Sequence, residues 1–444
     1  MLLLLALLQD PDVALRGKID ALTPPKGATA AILVVSRDRE LYAKNTGEPM
    51  TPASNTKLFT TAAALSRLGE KYRFETRVYV IDGALHVVAG GDPNLSGRFH
   101  DGDPTAVFKG WAAKLKAAGI EQVGDLVLHD TRGDAVDLHP DWKDYAPGAW
   151  WNAPVSWFSL NDNCIDATLA PAAREGDPAA VTLSPATRYV EVVNTTTTVA
   201  KVAKGQEAIY AVRPGAIAFS RQIALKARPP TWSIAVDDPT AFFGTVLSET
   251  LTREGIRVTG KVVRKTDDVK GTPLTVTTSD LPRTLQVTNT RSQNLYAELL
   301  ARHVAVAAGK PATFEEAGKA VTAYAKSLGA EQTKLVDGSG LSANNRTCVR
   351  DIMAVLKAMR GNKVFFDSLA VSGGDEGTLK ERMTKIKGRV HAKTGTIDGV
   401  DALSGYVDTR RGDTLIFSML LNGQKNHDEA RAFLDAVCEA IVEY

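Results

Sequence analysis

Two hydrophobic periodicities take turns along this chain, and the switches between them mark its elements. Residues 30–35 (Ala-Ala-Ile-Leu-Val-Val) form a short continuous apolar run of strand type. Residues 41–43 read as its partner, with Arg37-Asp38-Arg39 as the turn between them. After Pro52, the residues Leu58, Ala62 and Leu65 recur at helical spacing, so a loop is predicted to run into a helix there. From 72 to about 230 the pattern turns to β. Residues 77–81 and 85–89 flank Asp82-Gly83, a dipeptide that accepts the positive φ angles of a two-residue hairpin. Gly90-Gly91-Asp92-Pro93 then ends the second strand. A helix over 106–118 and strands over 124–128, 189–193 and 195–199 follow. A loop-rich stretch at 129–163 holds Trp142, Tyr145, Trp150, Trp151, Trp157 and Phe158. Helical periodicity returns at 241–254, with a strand near 258–263. Amphipathic helices over 294–307, 314–328 and 349–359 come next. The chain closes on apolar strands at 402–407 and 415–421 and a helix over 428–442.

Composition narrows the class. A chain of 444 residues exceeds one ordinary core, so about two to three domains are expected. Its 44% hydrophobic and 23% charged content is that of a folded globular protein. The net charge of +2 is close to neutral and there is no dense Lys/Arg run, which argues against a nucleic-acid partner. The apolar run at 2–8 is far too short to span a bilayer. It reads as the h-region of a short export signal, although a positive n-region and a small-residue cleavage site are lacking; an ordinary N-terminal helix is the plain alternative. Cys164, Cys348 and Cys438 are far apart and in no C-x-x-C pair, so neither a zinc site nor a disulfide framework is expected, and one bridge is left open.

Candidate chemistry begins at Ser54 and Lys57. Three residues apart on a helix, they lie on one side, where an amine can take the proton of a hydroxyl. A serine at a helix N-terminus also has unpaired backbone N–H groups and the positive end of the dipole beside it. S-x-x-K occurs once in the chain, as does the Lys393-Thr394-Gly395-Thr396 run, which reads as a strand with a glycine where a ligand backbone can approach. S-x-N occurs at Ser159-Leu160-Asn161, Ser292-Gln293-Asn294 and Ser342-Ala343-Asn344; the second alone stands just ahead of a long helix in the helical part. Each pattern by itself has a plain reading: an N-cap, a solvated lysine, a strand. Residues 337–342 (Asp-Gly-Ser-Gly-Leu-Ser) read most simply as a Gly-rich turn.

Together, and in this order, the three patterns are those of penicillin-binding proteins and serine β-lactamases. The chain resembles the D-alanyl-D-alanine carboxypeptidase/endopeptidase family, the low-molecular-mass class C penicillin-binding proteins. The likeness extends to residues 51–61, Gly91-Asp92-Pro93, Pro154 with Leu160-Asn161-Asp162-Asn163-Cys164, and 291–299. It continues through 337–342, 375–379, 392–396 and Leu403-Ser404-Gly405-Tyr406, and so covers nearly the whole chain. Two departures are visible: Glu376 interrupts the usual Asp-Gly-Thr, and the export run is short.

The resemblance implies a multi-domain α+β chain with a penicillin-binding-protein/serine β-lactamase-like transpeptidase domain, an antiparallel sheet flanked by helices. That domain is expected from 12–72 and 236–444, interrupted by a β-rich insert at 73–90 and 168–235 with a second insert nested at 91–167. It implies cleavage of terminal D-Ala-D-Ala bonds and of cross-links in peptidoglycan stem peptides, through an acyl-enzyme on Ser54 that β-lactams also form. Lys57 is then the base, and Ser292 passes a proton to the leaving amine. Asn294, Lys393, Thr394, Gly395 and Thr396 bind substrate, with the N–H groups of Ser54 and Thr396 as the oxyanion hole. No metal and no cofactor are implied; the location is the periplasm or cell envelope, and a homo-oligomer stays open. For Lys57 to serve at neutral pH its pKa must fall from about 10.4 to near 7, and burial and the Lys393 charge both push that way. Two other outcomes remain: a serine β-lactamase, distinguished by fast deacylation, or a wall-binding, penicillin-sensing module without turnover. A Ser-His-Asp hydrolase and a metalloprotease are disfavoured, since G-x-S-x-G and H-E-x-x-H are absent.

Overall fold

The structure, a computed structural model, describes residues 10–132 and 137–444. The apolar run at 2–8 lies outside the described residues. No helix among them is long and apolar enough to cross a membrane. The chain divides into two compact units, one made of Met1–Tyr72 with Leu281–Tyr444 and the other of Arg73–Asp280.

The first unit is built on a six-stranded antiparallel sheet. Its order is Ala370–Val371, Val390–Ile397, Val400–Asp408, Thr414–Asn422, Thr29–Ser36, Arg39–Lys44. The inner strands read as unbroken apolar runs because both faces are covered. Ala30, Ile32 and Val34 join Phe417, Met419 and Leu421 in a core with Leu15 and Ile19 of helix Pro11–Asp20 and Phe433, Leu434 and Val437 of helix His427–Val442. The alternate residues Ala31, Leu33 and Val35 are buried as well, and helix Val349–Ala358 packs on the same strands. Helix Thr56–Leu68 is buried well beyond the one apolar face that its spacing shows. Every residue from Thr56 to Leu65 is buried, because helices Leu281–Thr290, Asn294–Ala307, Phe314–Ser327 and Val349–Ala358 all pack against it. A helix enclosed on all sides can keep polar residues only where each has a partner.

In the second unit a mixed five-stranded sheet runs in the order Val262–Lys265, Leu126–His129, Ala84–Val88, Arg73–Ile81, Thr275–Asp280. The hairpin at Asp82-Gly83 forms as the sequence implies, with φ of 49° and 76° at its two turn residues. Two sequence expectations are corrected here. The chain re-enters the first unit at Leu281 and not at 236. The physical reason is helix Pro239–Arg253, whose Phe242, Phe243, Val246, Leu247 and Leu251 complete the core over this sheet, while Val262–Lys265 and Thr275–Asp280 supply its two edges. The nested division at 91–167 also runs through that same core. Val78 and Leu85, Phe108, Leu126 and Phe158, and Phe243 belong to one cluster. Smaller sheets from 164–235 have a separate cluster of Ala167, Ile217, Phe219 and Ile234. The single strand foreseen at 258–263 is two, Arg257–Val258 and Val262–Lys265. They part at Gly260, where a Cβ would stand 2.2 Å from Asp125 Oδ1. All three cysteines are free and buried.

Candidate active site

Ser54 lies in a single 3-10 turn, Ala53–Asn55, that leads into helix Thr56–Leu68. Lys57, one turn on, has no exposed surface. Its Nζ is 2.9 Å from Ser54 Oγ, 2.6 Å from Asn294 Oδ1 and 2.7 Å from the Ser339 carbonyl oxygen. The chemistry of these partners is unequal. A carbonyl and an amide oxygen can only accept, whereas a hydroxyl can also donate. A neutral amine there spends its two hydrogens on Asn294 and Ser339, which turns its lone pair towards the Ser54 hydroxyl. Burial brings the Lys57 pKa down to about 7, against the opposing pull of the Asp337 and Glu298 charges.

Asn294 opens helix Asn294–Ala307, and the turn before it places Ser292 at φ 59°. A left-handed serine is held against a local preference of about 1 kcal/mol or more, a cost often found at functional sites. Lys393 is fully buried on strand Val390–Ile397. Its Nζ donates to Ser292 Oγ at 2.8 Å and to the Thr394 carbonyl at 2.7 Å. Burial holds the Lys393 pKa well below the ordinary lysine value, and the Lys57 charge adds to this. Repulsion between the two ammonium groups is mutual, so it lowers the proton affinity of the pair, while the Asp337 and Glu298 charges oppose this at Lys57.

Strand Val390–Ile397 is tied to the Ser54 turn directly. Asn55 Nδ2 donates to the Lys393 carbonyl at 3.0 Å. A Cβ at Gly395 would come within 3.0 Å of both the Pro52 oxygen and the Ser54 nitrogen, so glycine is what allows the strand to pass so close. Thr394 Oγ1 donates to Thr378 Oγ1 at 2.8 Å. The Thr396 side chain is exposed, and its hydroxyl turns to Asp401 Oδ1 at 2.9 Å. The eight residues expected from the sequence therefore converge, with the Thr396 hydroxyl engaged by a neighbouring acid. The departure at Glu376 is accommodated on the surface. Its carboxylate pairs with Arg291 at 2.7 Å, while Thr378 N still donates to the Thr290 carbonyl at 3.0 Å beside Ser292.

Sequence reasoning missed the support beneath Lys57. Residues 337–342 do form a tight turn, with Asp337 accepting from Gly340 N and Ser342 N at 2.7 and 2.6 Å. That turn is also a wall of the site, since its Gly338 and Ser339 carbonyls take hydrogen bonds from Thr60 and Lys57. Glu298, fully buried, receives Gly338 N at 3.0 Å and Ser339 N at 2.7 Å. Burial and the Asp337 charge raise its pKa to about 7, against those two hydrogen bonds and Arg302. The available signal was a glutamate at helical spacing from Asn294, on a face the pattern already placed inside.

Known proteins resemble this chain in sequence and in fold. Residues 15–441 match the family described as D-Ala-D-Ala carboxypeptidase 3 (S13). The chain is 32% identical to the D-alanyl-D-alanine carboxypeptidase of Actinomadura sp. (strain R39), over 97% of this chain and 85% of that one. It is 27% identical to the D-alanyl-D-alanine carboxypeptidase DacB of Haemophilus influenzae, over 91% and 87% of the two. The fold matches the crystal structure of penicillin binding protein 4 (dacB) from Haemophilus influenzae with a TM-score of 0.80 at 24% identity, covering 98% of this chain and 100% of that one. With a match that spans nearly all of both units, the chain belongs to the D-Ala-D-Ala carboxypeptidase 3 (S13) family.

Proposed function

We propose that the protein is a serine D-Ala-D-Ala carboxypeptidase and DD-endopeptidase of peptidoglycan, working through an acyl-enzyme on Ser54. The observation that carries this reading is the buried Lys57 amine, 2.9 Å from Ser54 Oγ and otherwise surrounded by acceptors. Ser54 Oγ attacks the carbonyl of the terminal D-Ala-D-Ala bond, or of a D-amino-acid cross-link, and its proton passes to Lys57 Nζ. The backbone N–H groups of Ser54 and Thr396 receive the oxyanion; one such donor is worth about 10²–10³ in rate. Ser292, held by Lys393, gives its proton to the leaving amine as the C–N bond breaks and regains one from Lys57, which thereby returns to the neutral amine. Asn294 holds the substrate amide, and Lys393 with Thr394 grips the terminal carboxylate where there is one. Water then cleaves the ester and frees Ser54. Since the substrate lies outside the cytoplasm, this reading also requires export to the periplasm or cell envelope.

A β-lactam presents a strained amide to the same hydroxyl and acylates it with slow release. A β-lactam complex of the Haemophilus influenzae penicillin binding protein 4 has been solved on the same fold. The test is incubation with a fluorescent penicillin, then with a D-Ala-D-Ala pentapeptide and a cross-linked muropeptide. Labelling of the wild type, loss of label in Ser54→Ala, release of D-Ala and cleavage of the cross-link are expected. Label retained by Ser54→Ala removes the nucleophile from this scheme. Rapid destruction of penicillin would make the protein a β-lactamase, and label without peptide cleavage a sensor.

A further inference from the structure

The Lys57 amine is held by one peptide group of a loop, and that peptide and the one before it are each anchored by a buried acid. In the peptide joining Ser339 to Gly340, the carbonyl accepts from Lys57 Nζ at 2.7 Å and the N–H donates to Asp337 Oδ1 at 2.7 Å. In the peptide joining Gly338 to Ser339, the carbonyl accepts from Thr60 Oγ1 at 2.7 Å and the N–H donates to Glu298 Oε1 at 2.7 Å. Both carboxylates are fully buried. The loop is locked from the other side as well. Gly340, at φ 83°, stands against Ala53, and a Cβ there would lie 1.8 Å from the Ala53 oxygen. A hydrogen-bonded peptide is polarised at both ends, so negative charge at the N–H makes the carbonyl a stronger acceptor.

We infer that Asp337 and Glu298 are positioning residues for the acylation step: Asp337 through the peptide group that holds the Lys57 amine, and Glu298 by anchoring the preceding peptide of the same loop and by its charge, they set the direction and the proton affinity of that amine. The inference depends on Lys57 being the base, and it assigns the tuning of that base to residues outside the three motifs. The charged groups facing Lys57 from the surrounding elements are Asp337 on the loop, Glu298 on helix Asn294–Ala307 and Lys393 on strand Val390–Ile397, with Arg302 behind Glu298. Two acids near a buried amine favour its charged form. They therefore limit how far burial lowers its pKa, and they keep the proton taken from Ser54 on Lys57 long enough to be handed on.

Glu298→Gln separates charge from position. Glu298 Oε1 already receives both loop N–H groups, Gly338 at 3.0 Å and Ser339 at 2.7 Å, so the amide oxygen can keep these two contacts while the charge is lost, and the one contact given up is the second from Gly338 N, to Oε2 at 3.0 Å. The measurement is the rate of acylation by fluorescent penicillin from pH 4 to 10 on the full chain. The acid limb of the wild-type profile reports Lys57 losing its proton together with Glu298, which titrates in the same range, and Glu298→Gln leaves Lys57 as the one of the two that still titrates. In Glu298→Gln this limb should move to lower pH by about one unit, with weaker acylation at the plateau. Thr60→Val removes the neutral hydrogen bond to the same loop and should leave the limb in place. If Glu298→Gln does not fold, Asp337→Asn should move the limb in the same direction. An unmoved limb in the folded variant, while Ser54→Ala abolishes labelling, overturns the inference and leaves the proposed function standing. A wild type that takes no label overturns that function itself.

Discussion

Keeping Lys57 neutral in the folded chain has a cost that its chemistry makes necessary. Between pH 7 and 10.5 the unfolded chain binds a proton on this lysine that the native protein does not, so stability rises with pH across that window. Below about pH 7 the penalty is fully present. A depression from 10.5 to about 7 corresponds to roughly 5 kcal/mol at about 1.36 kcal/mol per unit. The hydrogen bonds to Ser54, Asn294 and Ser339 offset part of it, at about 1 kcal/mol each. Lys57→Met should therefore abolish penicillin labelling and yet raise stability by about 1–2 kcal/mol at pH 7, with the gain fading towards pH 10. Thermal melts of both proteins at the two pH values measure this. A Met variant that melts lower at pH 7 would mean Lys57 is charged and well paired in the native state.

Gly395 is the complementary case, where the missing side chain matters. Its Cβ position lies 3.0 Å from backbone atoms of Pro52 and Ser54, which cannot rotate away as a side chain would. Gly395→Ala should push the strand and the Ser54 turn apart by a few tenths of an ångström. Acylation should slow by about 10–100-fold with little loss of global stability. Second-order labelling rates alongside denaturant midpoints test the two halves of that statement. Ser54 and Lys57 could be found from their spacing because spacing is what their chemistry needs. For Glu298 and Asp337 no spacing reveals the role, because the peptide groups they anchor come from a loop distant in sequence from Lys57, and the helical position of Glu298 marks it only as buried.

At the level of elements, periodicity located what was apolar. Strand Thr29–Ser36 and helix Asn294–Ala307 were legible almost to their ends, since their buried faces are hydrophobic. Helix Leu281–Thr290 was missed for a physical reason. Much of its buried face is the polar set Thr284, Thr288, Asn289 and Thr290, and the last three make side-chain hydrogen bonds. Asn289 Nδ2 donates to Thr61 Oγ1 at 3.2 Å and to Ser368 Oγ at 2.8 Å, while Thr290 Oγ1 donates to the Ser368 carbonyl at 2.8 Å. This polar seam fixes the helix that ends beside Ser292. Asn289→Ala should cost about 1–3 kcal/mol, because two buried hydroxyls lose a donor. Ser292 should shift with the helix end, so peptide turnover should fall more than penicillin labelling. Equal loss of both would mean the seam supports the fold alone.

For the molecule as a whole, the separation of Ser54 from Ser292 in sequence was enough to imply that the catalytic unit is interrupted. It was not enough to locate the point of return, because helix Pro239–Arg253 looks the same whether it packs on one core or another. The structure shows how the interruption is made. Leu281 N donates to the Tyr72 carbonyl at 3.2 Å, and just beyond them Arg73 pairs with Asp280 as the first rung of an antiparallel ladder. The insertion therefore leaves and re-enters through adjacent residues, as the two strands of a hairpin do. Antiparallel partners sit about 5 Å apart, which a two-residue Asn-Gly turn can span. Every side chain described at the candidate site, and every partner named for it, belongs to Met1–Tyr72 or Leu281–Tyr444. Replacing 74–279 by Asn-Gly should thus give a chain that folds around its six-stranded sheet and still reacts with fluorescent penicillin at Ser54. Its labelling rate should stay within about tenfold of the full protein, since no group that activates Ser54 has been removed. A shortened chain that is folded by circular dichroism but takes no label would show that the second unit contributes to acylation itself, and the discontinuous unit could no longer be treated as the complete acylating machine.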